Sequence, residues 1–456
     1  MSNLEKKIED LNTQFCFVKM NGQTRVVKLH PELEFMTVRS FKEWMSNQTI
    51  WLKDAKGVEK PTPLGELWLK HPKRRQYEGV VLEPDLRKAP SDRLNLYRGW
   101  GVVPKLGQWP LMAWHITNIL ANGDPSSSGY IFRWIAWCLQ NPDKCAQVVL
   151  VLRGDKGAGK GTLGKALCKI FGAHKAHIVD ENLLTGRFKG YLLECLFLFA
   201  DEAVWGGDKK GTGALQGMIT EDITIEQKGL EAIPNWTNRL HIMMAADKDW
   251  AVPAGKHERR YAVFEVSNHF SHGNTSPDEI KAYFDALHKE LYEAGGLEAM
   301  AYDLMNADLE GWHPRQVHAT EALRKQQRLG MKPIEHWFEE LLQEGRLPRI
   351  PMHQPPLAPT KATTAQLKAH ASEFDFAVGA LSKQVLAAFL ESQGAIQWRT
   401  SGVRGWTFQS LKAHRDAWVR CWGPREWENP TMTEWQGNDG AWTPVVIDNP
   451  LSTHRK

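Results

Sequence analysis

The chain has 456 residues and a mass of 51.9 kDa, a length that predicts two to four domains rather than one. With 42% apolar and 24% charged residues, a mean hydropathy of -0.44 and no apolar run near eighteen residues, it excludes a membrane span and predicts no membrane partner. Basic and acidic side chains, 57 against 53, leave a net charge of only +4, so any nucleic-acid contact must come from local placement of charge.

The opening stretch MSNLEKKIEDLNTQF is charged and helix-like and offers no apolar signal segment, so a cytoplasmic location is expected. Residues 15–28 alternate around Asn21-Gly22, the short-range signal for a hairpin with a type I′ turn, and predict a small α/β region over 1–99. Over 100–146 the periodicity becomes helical, with Gly123 and Pro142 as stop signals, and a helical collar is expected. Within 147–345 the apolar runs QVVLVL, LLECLFLFA and RLHIMMAA alternate with helix-length segments, which predicts a parallel sheet with helices on its faces. Prolines without periodicity mark a linker at 346–365, and 366–456 forms a Trp-rich tail. Seven tryptophans, from Trp398 to Trp442, fall in the last sixty residues and predict an aromatic core there. Six cysteines without a CxxC pair indicate neither a disulfide framework nor a zinc knuckle. His174 and His177 lie near Cys168 and Asp180, but the spacing is loose and reads as structural.

The first apolar run gives way to the loop Gly154-Asp155-Lys156-Gly157-Ala158-Gly159-Lys160-Gly161-Thr162, followed at once by a helix-forming segment. Glycines let backbone N–H groups close around phosphate oxygens, the helix N-terminus adds its positive dipole end, and Lys160 pairs with the β and γ phosphates. Gly161 stands where a Mg2+-ligating hydroxyl is usual, and Thr162 brings one a residue later, so metal ligation there runs through Thr162 or its water. The pattern suits ATP with Mg2+ and does not by itself choose between a motor ATPase and a nucleotide kinase.

The second run delivers Asp201 and Glu202 at the C-terminal end of a strand, where open α/β sheets bind their ligands. Asp201 can hold Mg2+ while Glu202 orients and deprotonates a water, which favours hydrolysis over transfer. The third run ends at Asp247, placed to sense a γ-phosphate. Arg259 and Arg260 precede a further apolar strand and suit either an arginine finger serving a neighbouring subunit or surface ion pairs with Glu258.

Together GDKGAGKGT, CLFLFADEA, LQGMITEDITIEQKG, HIMMAADKDWAVP and ERRY resemble the superfamily 3 helicases, in the phage and plasmid primase-helicase branch of that AAA+-like group. The resemblance covers roughly 100–345 and implies an AAA+-like P-loop ATPase core that assembles as a homohexamer around single-stranded DNA and serves replication of a phage or mobile element in a bacterial host. It also implies that Arg260 acts in trans and that DITIEQKGLEAIP forms a channel hairpin with Lys228-Gly229 at its tip facing DNA phosphates. The family's third motif usually carries Asn where this chain has Asp247, so a carboxylate replaces the neutral amide. Residues 1–100 hold no D-x-D pair, so no primase activity is read there.

Relatives of this type often end in a winged-helix module, and the tail interleaves Arg399, Arg404, Lys412 and Arg415 with tryptophans around the helix-forming SLKAHRDAWVR, which suits duplex origin DNA. The same pattern suits a Trp-packed core with a solvated basic face. Two functional readings share every ATPase residue: a helicase or translocase, and an ATP-gated initiator or loader scaffold with little unwinding.

Overall fold

A computed structural model describes residues 3–20, 22–53, 58–202, 209–227, 231–247, 251–256, 258–271, 273–317, 319–348, 358–400 and 402–436. The chain divides into two units, residues 1–253 with 259–323, and residues 254–258 with 324–456.

In the first unit, the expected hairpin is present as strands Phe15–Met20 and Gln23–Lys28, with Met20 opposite Gln23 and Gly22 at a φ of +74°. It sits in a four-stranded sheet against which helix Asn3–Gln14 buries Ile8 and Leu11, with Phe15, Phe41 and Trp68 in the same core. Trp68 Nε1 donates to Asn12 Oδ1 at 2.9 Å, so the one polar atom of that ring keeps a partner. The helical segment follows: Asp124 accepts from the backbone N–H groups of Ser126 and Ser127 and starts helix Pro125–Gln140, whose ring nitrogen at Trp134 donates to Val148 O.

The centre of this unit is a five-stranded, all-parallel sheet: β1 (Val149–Arg153), β2 (Lys175–Ile178), β3 (Phe197–Asp201), β4 (His241–Ala246) and β5 (Tyr261–Glu265), in spatial order β2-β3-β4-β1-β5. β1 and β4 are buried along their whole length, as near-continuous apolar strands covered on both faces must be. The periodicity of the sequence marked β1, β3, β4 and β5; β2, KAHI, is short and polar and was missed. Helix α1 (Lys160–Phe171) lies against β3 at Gly164, where a Cβ would come within 2.4 Å of the Phe199 ring. Glycine there lets the helix approach the strand that carries Asp201.

The second unit takes in residues 254–258 and the chain from Arg324 onward, and so includes residues before the expected boundary near 345. The reason is packing: helix Pro333–Glu344 places Trp337, Phe338 and Leu341 in one core with Trp406, Trp418, Trp422 and Trp435. The predicted aromatic core of the tail is therefore real, and it draws in a helix from before the expected linker. Strands Lys361–Thr363, Ile396–Thr400 and Val403–Thr407 form an antiparallel sheet with the last in the middle. Helices Thr364–Phe374, Phe376–Gly379 and Lys383–Ser392 precede the Ile396–Thr407 hairpin, and Leu411–Trp422 follows it.

Candidate functional site

The C-terminal ends of β1, β3 and β4 gather the candidate residues. Gly154 leaves β1 with its N–H donating to Ala246 O at 3.1 Å, which fastens the start of the loop to the end of β4. Gly157 and Gly159 have φ of +84° and +91°, a left-handed backbone that costs other L-residues about 1–2 kcal/mol. Gly159 is the N-cap of α1, so the unpaired amides of that helix's first turn open on the loop.

Lys160 is buried, and its ammonium donates to Gly154 O at 2.7 Å and Asp155 O at 2.6 Å. Burial pushes its pKa down, while the charges of Asp247, Glu202, Asp155 and Asp201 act in the opposite sense. The sequence spreads these four acids over ninety residues; the fold brings them all into the field of one ammonium.

Asp201 ends β3 opposite Ala245 of β4, and a Cβ built at Gly161 would lie 3.5 Å from its Oδ2. Gly161 is thus the residue of the first helical turn that faces Asp201, and the Thr162 hydroxyl stands one residue further round. Glu202 has a φ of +59°, its N–H held by Ala245 O at 3.0 Å. A glutamate in the left-handed region stores strain of order 1 kcal/mol, and such strain concentrates where a side chain must be aimed. Asp201 and Glu202 offer two carboxylates, the number with which Mg2+ is commonly held when phosphate oxygens complete its shell. Among the described residues no group of three His, Cys, Asp or Glu side chains is arranged to hold a metal.

His174 fills the structural role expected of it, bonded to Arg98 N–H at 2.9 Å and Glu194 O at 2.8 Å. His177 is exposed on β2; its Nε2 lies 3.4 Å from Asp201 Oδ2, and its ring stacks on Phe199. The signal that could have found it is the parallel register of β2 on β3, which was invisible because β2 itself was unread.

Arg259 and Arg260 stand apart from this cluster. Arg260 O accepts from Val149 N–H at 2.8 Å, which fixes the pair at the N-terminal end of the sheet. One strand length, about 17 Å, separates that end from the phosphate loop. Within one chain the arginines and the loop are at opposite ends of neighbouring parallel strands.

Within the segment read as a hairpin, Ile223–Ile225 pairs antiparallel with Ile233–Trp236; Lys228 and Gly229 lie outside the described residues. In the tail, Arg399 and Arg404 are exposed and directly opposite each other on the Ile396–Thr407 hairpin. Lys412 is exposed and ion-paired with Asp416 at 2.7 Å. Arg415 corrects the sequence reading: it is buried, and its guanidinium donates to Leu342 O, Gln343 O, Asn429 O and Met432 O. It closes the C-terminal end of helix Pro333–Glu344, where unpaired carbonyls and the negative dipole end favour a cation. Helix Leu411–Trp422 turns its Leu411, Arg415, Trp418 and Trp422 face into the core and is not free to enter a groove through that face.

Residues 152–260 match a family model described as a family of unknown function, DUF5906. No curated protein matches the chain. Among solved structures, the apo NrS-1 C-terminal region (305-718) is similar with a TM-score of 0.60 and 15% identity, covering 90% of this chain and 100% of that one. The A form apo structure of the same region gives a TM-score of 0.61 at 16% identity, over 88% and 99% of the two chains. At such identity the likeness concerns the fold.

Proposed function

We propose that the chain is an ATP-dependent DNA helicase or translocase of a phage or mobile element, with an AAA+-like P-loop ATPase core of superfamily 3 type, acting in replication as a homohexamer on single-stranded DNA. The observation that carries this reading is the convergence, at the C-terminal ends of three inner strands, of a left-handed glycine loop, the buried Lys160 ammonium, and Asp201, Glu202 and Asp247. The likeness in fold to the NrS-1 C-terminal region fits it.

Bound ATP with Mg2+ supplies the phosphoanhydride and the Lewis acid. The loop amides and the first turn of α1 bind phosphate oxygens, and Lys160 exchanges its contacts with Gly154 O and Asp155 O for phosphate, which offers a charged partner in place of two neutral carbonyls. Asp201 would hold the cation, and Glu202, fixed by its strained backbone, would orient the attacking water and take its proton. Asp247, just after the end of the neighbouring strand, is a second carboxylate that would hold that water. Arg260 lies a strand length from its own loop, a placement that suits service to a neighbour's nucleotide and not to its own. Lys228 grips the track, and the tail approaches duplex DNA through Arg399 and Arg404 on its hairpin.

The test is the ATPase rate of wild type and Lys228→Ala, each with and without single-stranded DNA, with Glu202→Gln as the control without hydrolysis. DNA stimulation of the wild type that is lost in Lys228→Ala supports a motor. A rate that ignores DNA yet is abolished by Glu202→Gln replaces the motor with an ATP-gated scaffold, and a wild type without hydrolysis removes the ATPase reading.

A further inference from the structure

Helix Pro110–Trp114 continues from His115 to Leu120 with the wider π-helical hydrogen bonds, such as Ala121 N–H to Ile116 O at 2.9 Å. Departures of this kind inside helices often mark functional positions. His115, the first residue of the widened stretch, is fully buried, and it touches the phosphate loop: Nε2 lies 3.1 Å from Gly159 O, and Nδ1 lies 3.0 Å from the Tyr283 hydroxyl. A carbonyl only accepts, so Nε2 carries the proton and donates to Gly159 O, and Nδ1 accepts from Tyr283 O–H. Burial holds the imidazole neutral, with its pKa lowered to about 4, so this tautomer persists through the neutral range. The fit is mutual, since a Cβ at Gly159 would meet His115 Cε1 at 2.6 Å.

The peptide between Gly159 and Lys160 is planar and trans, so its C=O and N–H point to opposite sides. Drawing Gly159 O toward the buried imidazole therefore turns the Lys160 N–H away from His115, among the first-turn amides of α1. We propose that His115 is a positioning residue for the phosphate loop, holding the Gly159–Lys160 peptide so that its N–H is presented to a phosphate, with Tyr283 fixing the imidazole tautomer. The inference rests on the reading of Gly154–Thr162 as a nucleotide phosphate site and adds to it the residue that sets the loop's backbone. It assigns His115 to the phosphates and not to the nucleobase.

The experiment measures binding of Mg2+-ATP and of inorganic tripolyphosphate to the full chain, for wild type, His115→Phe, His115→Gln and Tyr283→Phe. His115→Phe keeps the ring volume and loses the donor; the expected result is an approximately tenfold weaker Kd, about 1.4 kcal/mol, equal for both ligands. Gln places an amide donor near the Nε2 position, so His115→Gln recovers most of the affinity. Tyr283→Phe frees the tautomer and lowers both affinities by a few-fold. The 15N signature of the His115 ring at pH 7 reads Nε2–H. Affinity unchanged in His115→Phe overturns the proposal, as does a loss confined to ATP, which would make His115 a wall of a base pocket. Should His115→Phe not fold, an Nδ1–H ring in the wild type, or Tyr283→Phe indistinguishable from it, overturns the proposal equally. A wild type that binds neither ligand removes the phosphate reading of the loop and this inference with it, a result distinct from a variant that matches a binding wild type.

Discussion

Arg415→Ala separates a structural cation from a DNA-binding one. The guanidinium Nε and Nη2 donate to Leu342 O at 2.9 and 2.7 Å, and Nη1 donates to Asn429 O and Met432 O at 2.8 and 3.2 Å. It also lies 4.8 Å from the Trp427 ring centroid. Each charge-assisted bond is worth about 1.5–3 kcal/mol, but the bonds share one group and water reaches some of the released carbonyls, so the sum overshoots. Each buried carbonyl left without a donor costs about 1–3 kcal/mol, so with part of the site opened to water the loss comes to about 3–5 kcal/mol. At about 4 °C per kcal/mol, the second unit melts about 12–20 °C lower. Thermal unfolding followed by tryptophan fluorescence reads this directly. DNA affinity measured well below the new transition stays at the wild-type value, whereas Arg399→Ala and Arg404→Ala lower it and reduce its salt slope by about one each. An Arg415→Ala protein with an unchanged melting point and a weakened DNA affinity would refute the reasoning.

Glu202→Gly relieves the φ of +59° and raises stability by about 1 kcal/mol in urea unfolding while abolishing hydrolysis, whereas Glu202→Gln keeps the strain and abolishes hydrolysis alone. His115 and His414 have pKa values lowered by burial to about 4, and that of His241 is lowered to about 3. The unfolded chain then binds more protons than the folded one between pH 6.5 and 4. Stability is complete above pH 6.5 and falls with pH in that window, each of these histidines contributing a loss of about 2 kcal/mol at pH 5; a melting point that does not change from pH 7.5 to 5 would count against their burial as neutral rings. Lys160→Ala and Arg260→Ala are each expected to lose ATPase activity, and mixing the two restores part of it, because a subunit lacking Arg260 keeps an intact loop for a neighbour's arginine. No recovery on mixing, or full activity of Arg260→Ala alone, would remove the role in trans.

The loop and the strand-end acids were legible because their chemistry is local: glycine at a left-handed φ and an acid after a buried strand leave a mark in a few consecutive residues. Arg415 was misread although the signal was present. Leu411, Arg415, Trp418 and Trp422 recur at four, three and four residues, one face of a helix, so the periodicity that revealed the helix also placed the arginine on its apolar stripe. Interleaved basic and aromatic residues look alike whether they face DNA or a carbonyl cage. His115 left no signal at all, since its partner Gly159 is 44 residues away and a histidine inside a helical run reads as core. Nor was the start of the second unit legible, because the apolar face of Pro333–Glu344 fits any neighbouring core and the sequence does not say which.

The opposite placement of Arg260 and the phosphate loop on one parallel sheet has a consequence for symmetry. If Arg260 serves a neighbour's nucleotide, as proposed, the end of each subunit that lends an arginine and the end that receives one lie one strand length, roughly 17 Å, apart. The same contact repeated head to tail around an axis would then give an assembly with two distinguishable faces. On the proposed single-stranded DNA, such an assembly would offer a directional track before any nucleotide is cleaved.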